Sequence, residues 1–180
     1  MKILDCINQK RSIRKYTDQP IDRETVKKLL TLGTKASTGS NIQPWGFVVI
    51  QDKSAIDNLS EATKKYLLEN LEKYPYFEAY REWLNNKSYS VFNHAGTLLL
   101  IYGNTESHWY IYDCTLAAGN IMLAAHSMNI GTCWIGFGEY TLNTPEFKAK
   151  YGVPASYELV SPISMGYFKT KLGEPQRKTP

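Results

Sequence analysis

The run Lys10-Arg11-Ser12-Ile13-Arg14 places three cations and a hydroxyl within five residues. Such a set can surround a phosphate with charge-assisted donors, and each arginine can hold two phosphate oxygens at once. A second stretch, Ser37-Thr38-Gly39-Ser40-Asn41-Ile42-Gln43-Pro44-Trp45, supplies hydroxyls and two carboxamides. A carboxamide both donates and accepts, as the mixed edge of a planar, polar heterocycle requires. A ligand with a phosphate at one end and such a ring at the other would use both stretches. Neither GxGxxG nor the P-loop pattern occurs, so the site is not a standard dinucleotide or nucleotide loop. By itself the basic run also fits a solvated surface.

Other chemistry finds little support. His94, His108 and His126 show no metal-ligand spacing among themselves or with the cysteines, and no metal site is expected. There is no GxSxG elbow and no acid–base dyad, so no catalytic side chain is assigned. An enzyme built from this chain would leave the chemistry to a bound cofactor. Cys6, Cys114 and Cys133 are odd in number and lack CxxC spacing, which reads as buried free thiols in a reducing compartment. His126, on an apolar helix, reads as a core histidine.

The elements that must position these residues follow from local patterning. A short helix is expected over Ile3–Gln9. Asp22 is the expected N-cap of a second helix, with apolar residues at 26, 29 and 30 and Gly33 after them. The polar loop then feeds a short buried strand, Phe47–Ile50, and turns into it with Trp45 as core. A third helix should start at Ser54 and run to about Asn70. Glu72–Ser90 carries Tyr74, Tyr76, Phe77, Tyr80, Trp83 and Tyr89 without a clear period, and reads as a partly helical lid.

Thr97–Tyr102 is a second buried strand. Tyr110–Met128 is apolar almost all round, which predicts burial on nearly all sides, either in the core or in a subunit interface. Strands are expected at Gly131–Phe137 and Tyr157–Ile163, with Pro162 marking an edge or a bulge. Gly131 and Gly136 equally suit a helix stop and a bulge. Helices alternating with short strands indicate an α+β sandwich.

Length and composition set the outer bounds. The 180 residues fit one domain, 1–180, and 43% hydrophobic residues can supply its core. A net charge of +4, with acidic residues interleaved, argues against nucleic-acid binding and suits a small anionic ligand. The longest apolar run, Ala95–Tyr102, is too short to cross a bilayer, and the first residues lack a signal-peptide pattern. No membrane association is expected, and the location expected is cytoplasmic.

Three motifs in order, Arg11-Ser12-Ile13-Arg14-Lys15-Tyr16, Ser37 to Trp45 with its Asn-x-Gln-Pro-Trp ending, and Ala117 to Phe137 with Gly131-Thr132-Cys133-Trp134-Ile135-Gly136, resemble the FMN-dependent nitroreductase family over nearly the whole chain. The resemblance implies an α+β sandwich with a central, mostly antiparallel sheet flanked by helices. It also implies an intertwined homodimer with FMN at the subunit interface. Carried over position by position, Lys10, Arg11, Ser12 and Arg14 would hold the phosphate and ribityl chain, and Arg14 would approach the pyrimidine edge. Ser37, Thr38, Asn41 and Gln43 would line the isoalloxazine from the other subunit. Ile135 and Gly136 would lie along the ring face opposite the substrate side, near N5, and Arg177, with Lys178 near it, would complete the phosphate site.

The activity implied is NADH- or NADPH-dependent reduction, by ping-pong hydride transfer through flavin N5, of nitroaromatics, quinones or similar small electrophilic acceptors. The alternatives are a flavin-sequestering protein without turnover, or a reductive dehalogenase-type relative. Two departures stand out: Lys10 replaces the more usual arginine, and Phe168 replaces a frequent proline.

Overall fold

The computed structural model describes residues 2–169, 173 and 177–179. Four strands form one sheet: β1 (Trp45–Ile50), β2 (Thr97–Asn104), β3 (Ile130–Trp134) and β4 (Tyr157–Tyr167), in the order β1-β2-β4-β3. Every ladder in it is antiparallel. Seven helices occur among the described residues: α1 (Ile3–Gln9), α2 (Arg23–Gly33), α3 (Lys53–Glu69), α4 (Arg81–Asn85), α5 (Tyr110–Ser127), α6 (Glu139–Leu142) and α7 (Pro145–Tyr151). The fold is α+β, a helix–sheet–helix sandwich.

The central strand β2 explains the layering. Its side chains alternate, with Leu99 and Ile101 packing into one core and Leu98, Leu100 and Tyr102 into the other. A strand buried on both faces reads as a continuous apolar run, which is what the sequence shows. The first core lies between the sheet and the α2–α5 layer, around Val26, Leu29, Cys114, Ala118 and Ile121. The second lies under α3, α6 and α7, around Ile56, Leu142 and Phe147. There the buried Tyr102 hydroxyl donates to the Leu142 carbonyl. A smaller cluster of Leu67, Leu71, Phe77 and Leu84 sits beneath residues 74–85.

Several expectations need correction. The third helix does not start at Ser54; Asp52 is its N-cap, accepting the Ala55 N–H at 3.1 Å. An aspartate one residue before the helix supplies a better acceptor for the orphan N–H groups of the first turn. The strand expected over Gly131–Phe137 stops at Trp134, and Gly136–Gly138 forms a 3₁₀ turn. The cause lies across the ladder. β4 has an irregular register beside Pro162: Ile101 faces Ser161 and Tyr102 faces Leu159, leaving Val160 unmatched. Pro162 offers no N–H, so β3 gains only the Ile135 N–H to Pro162 carbonyl bond, at 2.8 Å, before leaving the sheet. Pro162 therefore marks a bulge in a central strand, not an edge. β4 itself continues to Tyr167, four residues beyond the expected end.

The all-round apolar helix α5 is not buried all round. Asp113, Cys114, Ala117, Ala118, Ile121 and Ala125 face the chain's own core. Ile111, Tyr112 and Leu116 stand out in solvent, beside the equally exposed Ile3, Leu4 and Ile7 of α1. Among the described residues of one chain, nothing covers that face.

Candidate functional site

The basic run is laid along β3. Ser12 forms a parallel bridge with Thr132, and the Ile13 N–H donates to the Thr132 carbonyl at 3.0 Å. Ile13 is buried against Gly131, where a Cβ would come within 2.6 Å of the Ile13 Cβ. Only a glycine lets the run approach β3 this closely. Burying Ile13 turns its neighbours outward, so Ser12 and Arg14 are exposed at the sheet's rim.

The four polar residues of the run have separate fates. Arg11 is engaged by its own backbone: its guanidinium donates to the Asn8 carbonyl at 2.6 Å, the Lys10 carbonyl at 2.8 Å and the Gly173 carbonyl at 3.1 Å. It thus caps the C-terminus of α1. Among the described residues Arg14 makes only a long contact, to the Ser12 carbonyl at 3.5 Å, which leaves donors for a ligand. Lys10 is half-buried, and that burial lowers its pKa below the ordinary lysine value, with the nearby Cys133 thiol acting in the opposite sense. Burial raises the Cys133 thiol, while Arg14, Lys10 and a hydrogen bond from Ser12 pull it back.

Two cavities flank Arg14. One, of about 630 Å³, runs along Ser12–Asp18 to Lys169. The other, of about 460 Å³, is lined by Arg14, Cys133, Ile135, Gly136, Phe137 and Asn93, with Tyr80, Trp83 and Tyr89 of the lid above them. The structure therefore brings Arg14, Ile135 and Gly136 together, as the motif order implied. It adds Cys133, Asn93 and the three lid rings, which sequence reasoning did not assign. The aromatic density of residues 74–89 was the available signal. Gly136 faces open space, with nothing within 4 Å of where a Cβ would be.

A polar ladder backs this floor. The Tyr16 hydroxyl donates to the Ile13 carbonyl at 2.6 Å and lies 2.9 Å from the Ser164 Oγ, which also accepts the Asn93 amide at 3.2 Å. Burial raises the Tyr16 phenol well above its ordinary value, so it stays a neutral donor.

The polar loop is built elsewhere. Among the described residues, no hydrogen bond joins residues 37–43 to the basic run. The loop instead docks on the first turn of α5, where both oxygens of the buried Asp113 accept the Gly39 N–H, each at 3.2 Å. Trp109 packs so tightly on Gly39 that a Cβ there would lie 2.6 Å from its ring. Ser40, Asn41 and Gln43 all have positive φ, at 50°, 56° and 54°. Ser37, Asn41 and Gln43 are exposed, and the Gln43 amide donates to the Asn41 Oδ1 at 3.2 Å. The Thr38 hydroxyl is buried without a hydrogen-bond partner among the described residues. A loop strained this way, with exposed carboxamides, is shaped for something outside its own chain.

Arg177 is exposed and makes no hydrogen bond among the described residues; residues 174–176 lie outside them. Phe168, in the place of the frequent proline, stacks on His126 at 6.3 Å and a 10° interplanar angle. His126 is half-buried under it, not a fully enclosed core residue. The three cysteines are buried free thiols. No helix among the described residues is long and apolar enough to cross a membrane.

An α+β sandwich of this kind has known counterparts. The nitroreductase family model matches residues 7–167. The chain belongs to the nitroreductase family. A protein of Archaeoglobus fulgidus, provisionally named an NADH dehydrogenase/NAD(P)H nitroreductase, is 29% identical over 166 residues, covering 92% of this chain and 85% of its own. One of the same name from Methanothermobacter thermautotrophicus is 25% identical, covering 93% and 78%. Among solved structures, a Bacteroides fragilis nitroreductase with bound FMN superposes with a TM-score of 0.83 at 26% identity, covering 99% of this chain and 94% of that one.

Proposed function

We propose that this protein is an FMN-dependent NAD(P)H oxidoreductase that works as a homodimer. The observation that carries the reading is the cavity where Arg14, Ile135 and Gly136 converge beneath Tyr80, Trp83 and Tyr89. The residues present suit the cofactor: uncommitted cations at one end, an open glycine floor, and a loop of carboxamides and an orphaned hydroxyl.

Lys10, Ser12 and Arg14 would hold the phosphate and ribityl groups, with Arg177 the candidate to complete that end. Arg11 contributes by fixing the chain direction between α1 and β3. Ser37, Thr38, Asn41 and Gln43 would meet the ring from the partner subunit, since within one chain the loop sits apart from the basic run. Ile135 and Gly136 would underlie it. Bound FMN would supply two-electron chemistry, taking hydride from NADH or NADPH and passing it to a nitroaromatic, quinone or similar acceptor in ping-pong order. A cation at Arg14 favours the reduced, anionic form of such a ring. No protein acid or base is required beside the acceptor, consistent with the neutral Tyr16 ladder behind the floor.

The exposed apolar face of α1 and α5 supports the dimer, because soluble monomers rarely leave such a patch uncovered. Three free cysteines accord with a cytoplasmic location. The test is anaerobic mixing of the FMN-loaded protein with NADH and with NADPH. Bleaching of the flavin spectrum, followed by reoxidation with a nitroaromatic or quinone, is expected. A flavin band that persists with both nucleotides would overturn the assignment.

A further inference from the structure

Two charged side chains are buried among the described residues, Asp113 and Lys64. Asp113 holds the polar loop; Lys64 has no place in the chemistry derived so far. Burying an ammonium costs several kcal/mol unless every proton finds an acceptor. Lys64, on α3 with its side chain only 5% exposed, meets that condition. Its Nζ donates to the Glu61 carboxylate at 2.8 Å, the Asn86 carbonyl at 2.9 Å and the Tyr89 carbonyl at 3.2 Å. One turn earlier, the buried Ser60 Oγ accepts the Val91 N–H at 2.9 Å. Two adjacent turns of α3 thus make three bonds to the backbone of residues 86–91.

That segment carries Tyr89 and Val91 into the cavity that holds Arg14, Ile135 and Gly136. The other two lid rings there are attached differently. Tyr80 meets the body through Phe137, at 5.0 Å between ring centroids, and Trp83 leans on Tyr80 and Tyr89 at 5.6 and 5.9 Å. Ring contacts of this kind are weak and can slide, whereas a carbonyl held by a buried ammonium cannot move without leaving one of its N–H donors unsatisfied.

We infer that Lys64 is a positioning residue for the acceptor pocket: it pins the end of the lid so that Tyr89 stands as a fixed aromatic wall, while Tyr80 and Trp83 form the part that gives way. This rests on the proposed flavin reading of the cavity. Lys64 touches neither the flavin-binding residues nor the acceptor. Its effect is on how firmly a planar acceptor is held between the flavin and the lid.

The experiment uses the FMN-loaded protein and p-nitrobenzoate, whose binding to the oxidised flavin is followed by the shift of the visible spectrum. Lys64→Met keeps the unbranched apolar stem of the side chain, one atom shorter, and removes its three donors. It is expected to weaken p-nitrobenzoate binding about tenfold, as for the loss of charge-assisted hydrogen bonds, and to raise the acceptor KM in step with kcat little changed. FMN affinity should stay within about twofold, and Lys64→Arg, which retains donors, should restore most of the acceptor affinity. If Lys64→Met does not fold, Ser60→Ala removes one bond to the same segment, and a loss of about threefold is expected. Wild-type acceptor affinity in a folded, FMN-loaded Lys64→Met, or in Ser60→Ala where that variant stands in for it, would overturn the inference. A wild-type protein that takes up no FMN would overturn both this inference and the flavin reading. One that binds FMN and p-nitrobenzoate without turnover would overturn only the oxidoreductase reading, and the titration would still decide the role of Lys64.

Discussion

Replacing Asp113 by alanine should separate cofactor affinity from fold stability. The carboxylate is 4% exposed, and the hydrogen bond it accepts is a charge-assisted one from Gly39, shared between two oxygens at 3.2 Å. Such a bond is worth about 1.5–3 kcal/mol. Next to it, Ser40, Asn41 and Gln43 sit in the left-handed region, at about 1–2 kcal/mol each for a residue with a side chain. The loop therefore stores strain comparable to or larger than the bond that holds it. Without Asp113 the loop relaxes, and the binding conformation must be rebuilt when FMN arrives. The cost passes to binding, so FMN affinity should fall about 10- to 100-fold.

Fold stability should respond differently. A buried carboxylate with one donor is poorly compensated, so its removal returns desolvation energy. The apoprotein of Asp113→Ala should melt at or above the wild-type temperature. Asp113→Asn, which keeps a neutral acceptor, should fall between the two in FMN affinity. Flavin fluorescence titration and thermal melts of apoprotein give both quantities. Wild-type FMN affinity in Asp113→Ala would refute the claim that this anchor shapes the loop. A large loss of apoprotein stability would show that the carboxylate supports the fold itself.

Three further outcomes follow from the same geometry. Lys10 has a lowered pKa in the free protein because it is half-buried, and an adjacent phosphate would raise it again; binding then takes up a proton, so FMN affinity should fall as pH rises through the interval between the lowered and the raised pKa. A Lys10→Met variant should bind more weakly and lose this dependence, and a wild-type affinity flat over the same range would count against Lys10 at the phosphate. Gly131→Ala would drive a methyl to within 2.6 Å of the Ile13 Cβ, costing about 1–3 kcal/mol by overpacking, and should lower both the melting temperature and FMN affinity by displacing the basic run; an unchanged protein would show that β3 has slack there. Leu116→Glu places a charge on the exposed face of α5 and should turn a sedimenting dimer into a monomer with little FMN, whereas a wild-type monomer that holds FMN tightly would remove the interface site.

What the chain determined by itself was local. Asp22 caps α2 through the Thr25 N–H, at 2.8 Å, because the helix-start chemistry lies within four residues. The strand at Thr97 and the helix at Tyr110 were legible because period and apolar run length are written in consecutive residues. The motif order also singled out Arg14, Ile135 and Gly136, which line one cavity in the fold. The tertiary structure decided what depends on distant partners: that β3 ends at Trp134 because Pro162 across the ladder lacks a donor, and that one face of α5 is left open. It also turned Arg11 toward backbone carbonyls and left Arg14 available, though the two stand three residues apart in one basic run. Finally, it put the two buried charges, Asp113 and Lys64, behind the two loops that bear on the proposed site. Neither could be picked out among the acidic and basic residues of the sequence, because what distinguishes a structural charge from a solvated one is burial, and burial is a property of the packed fold.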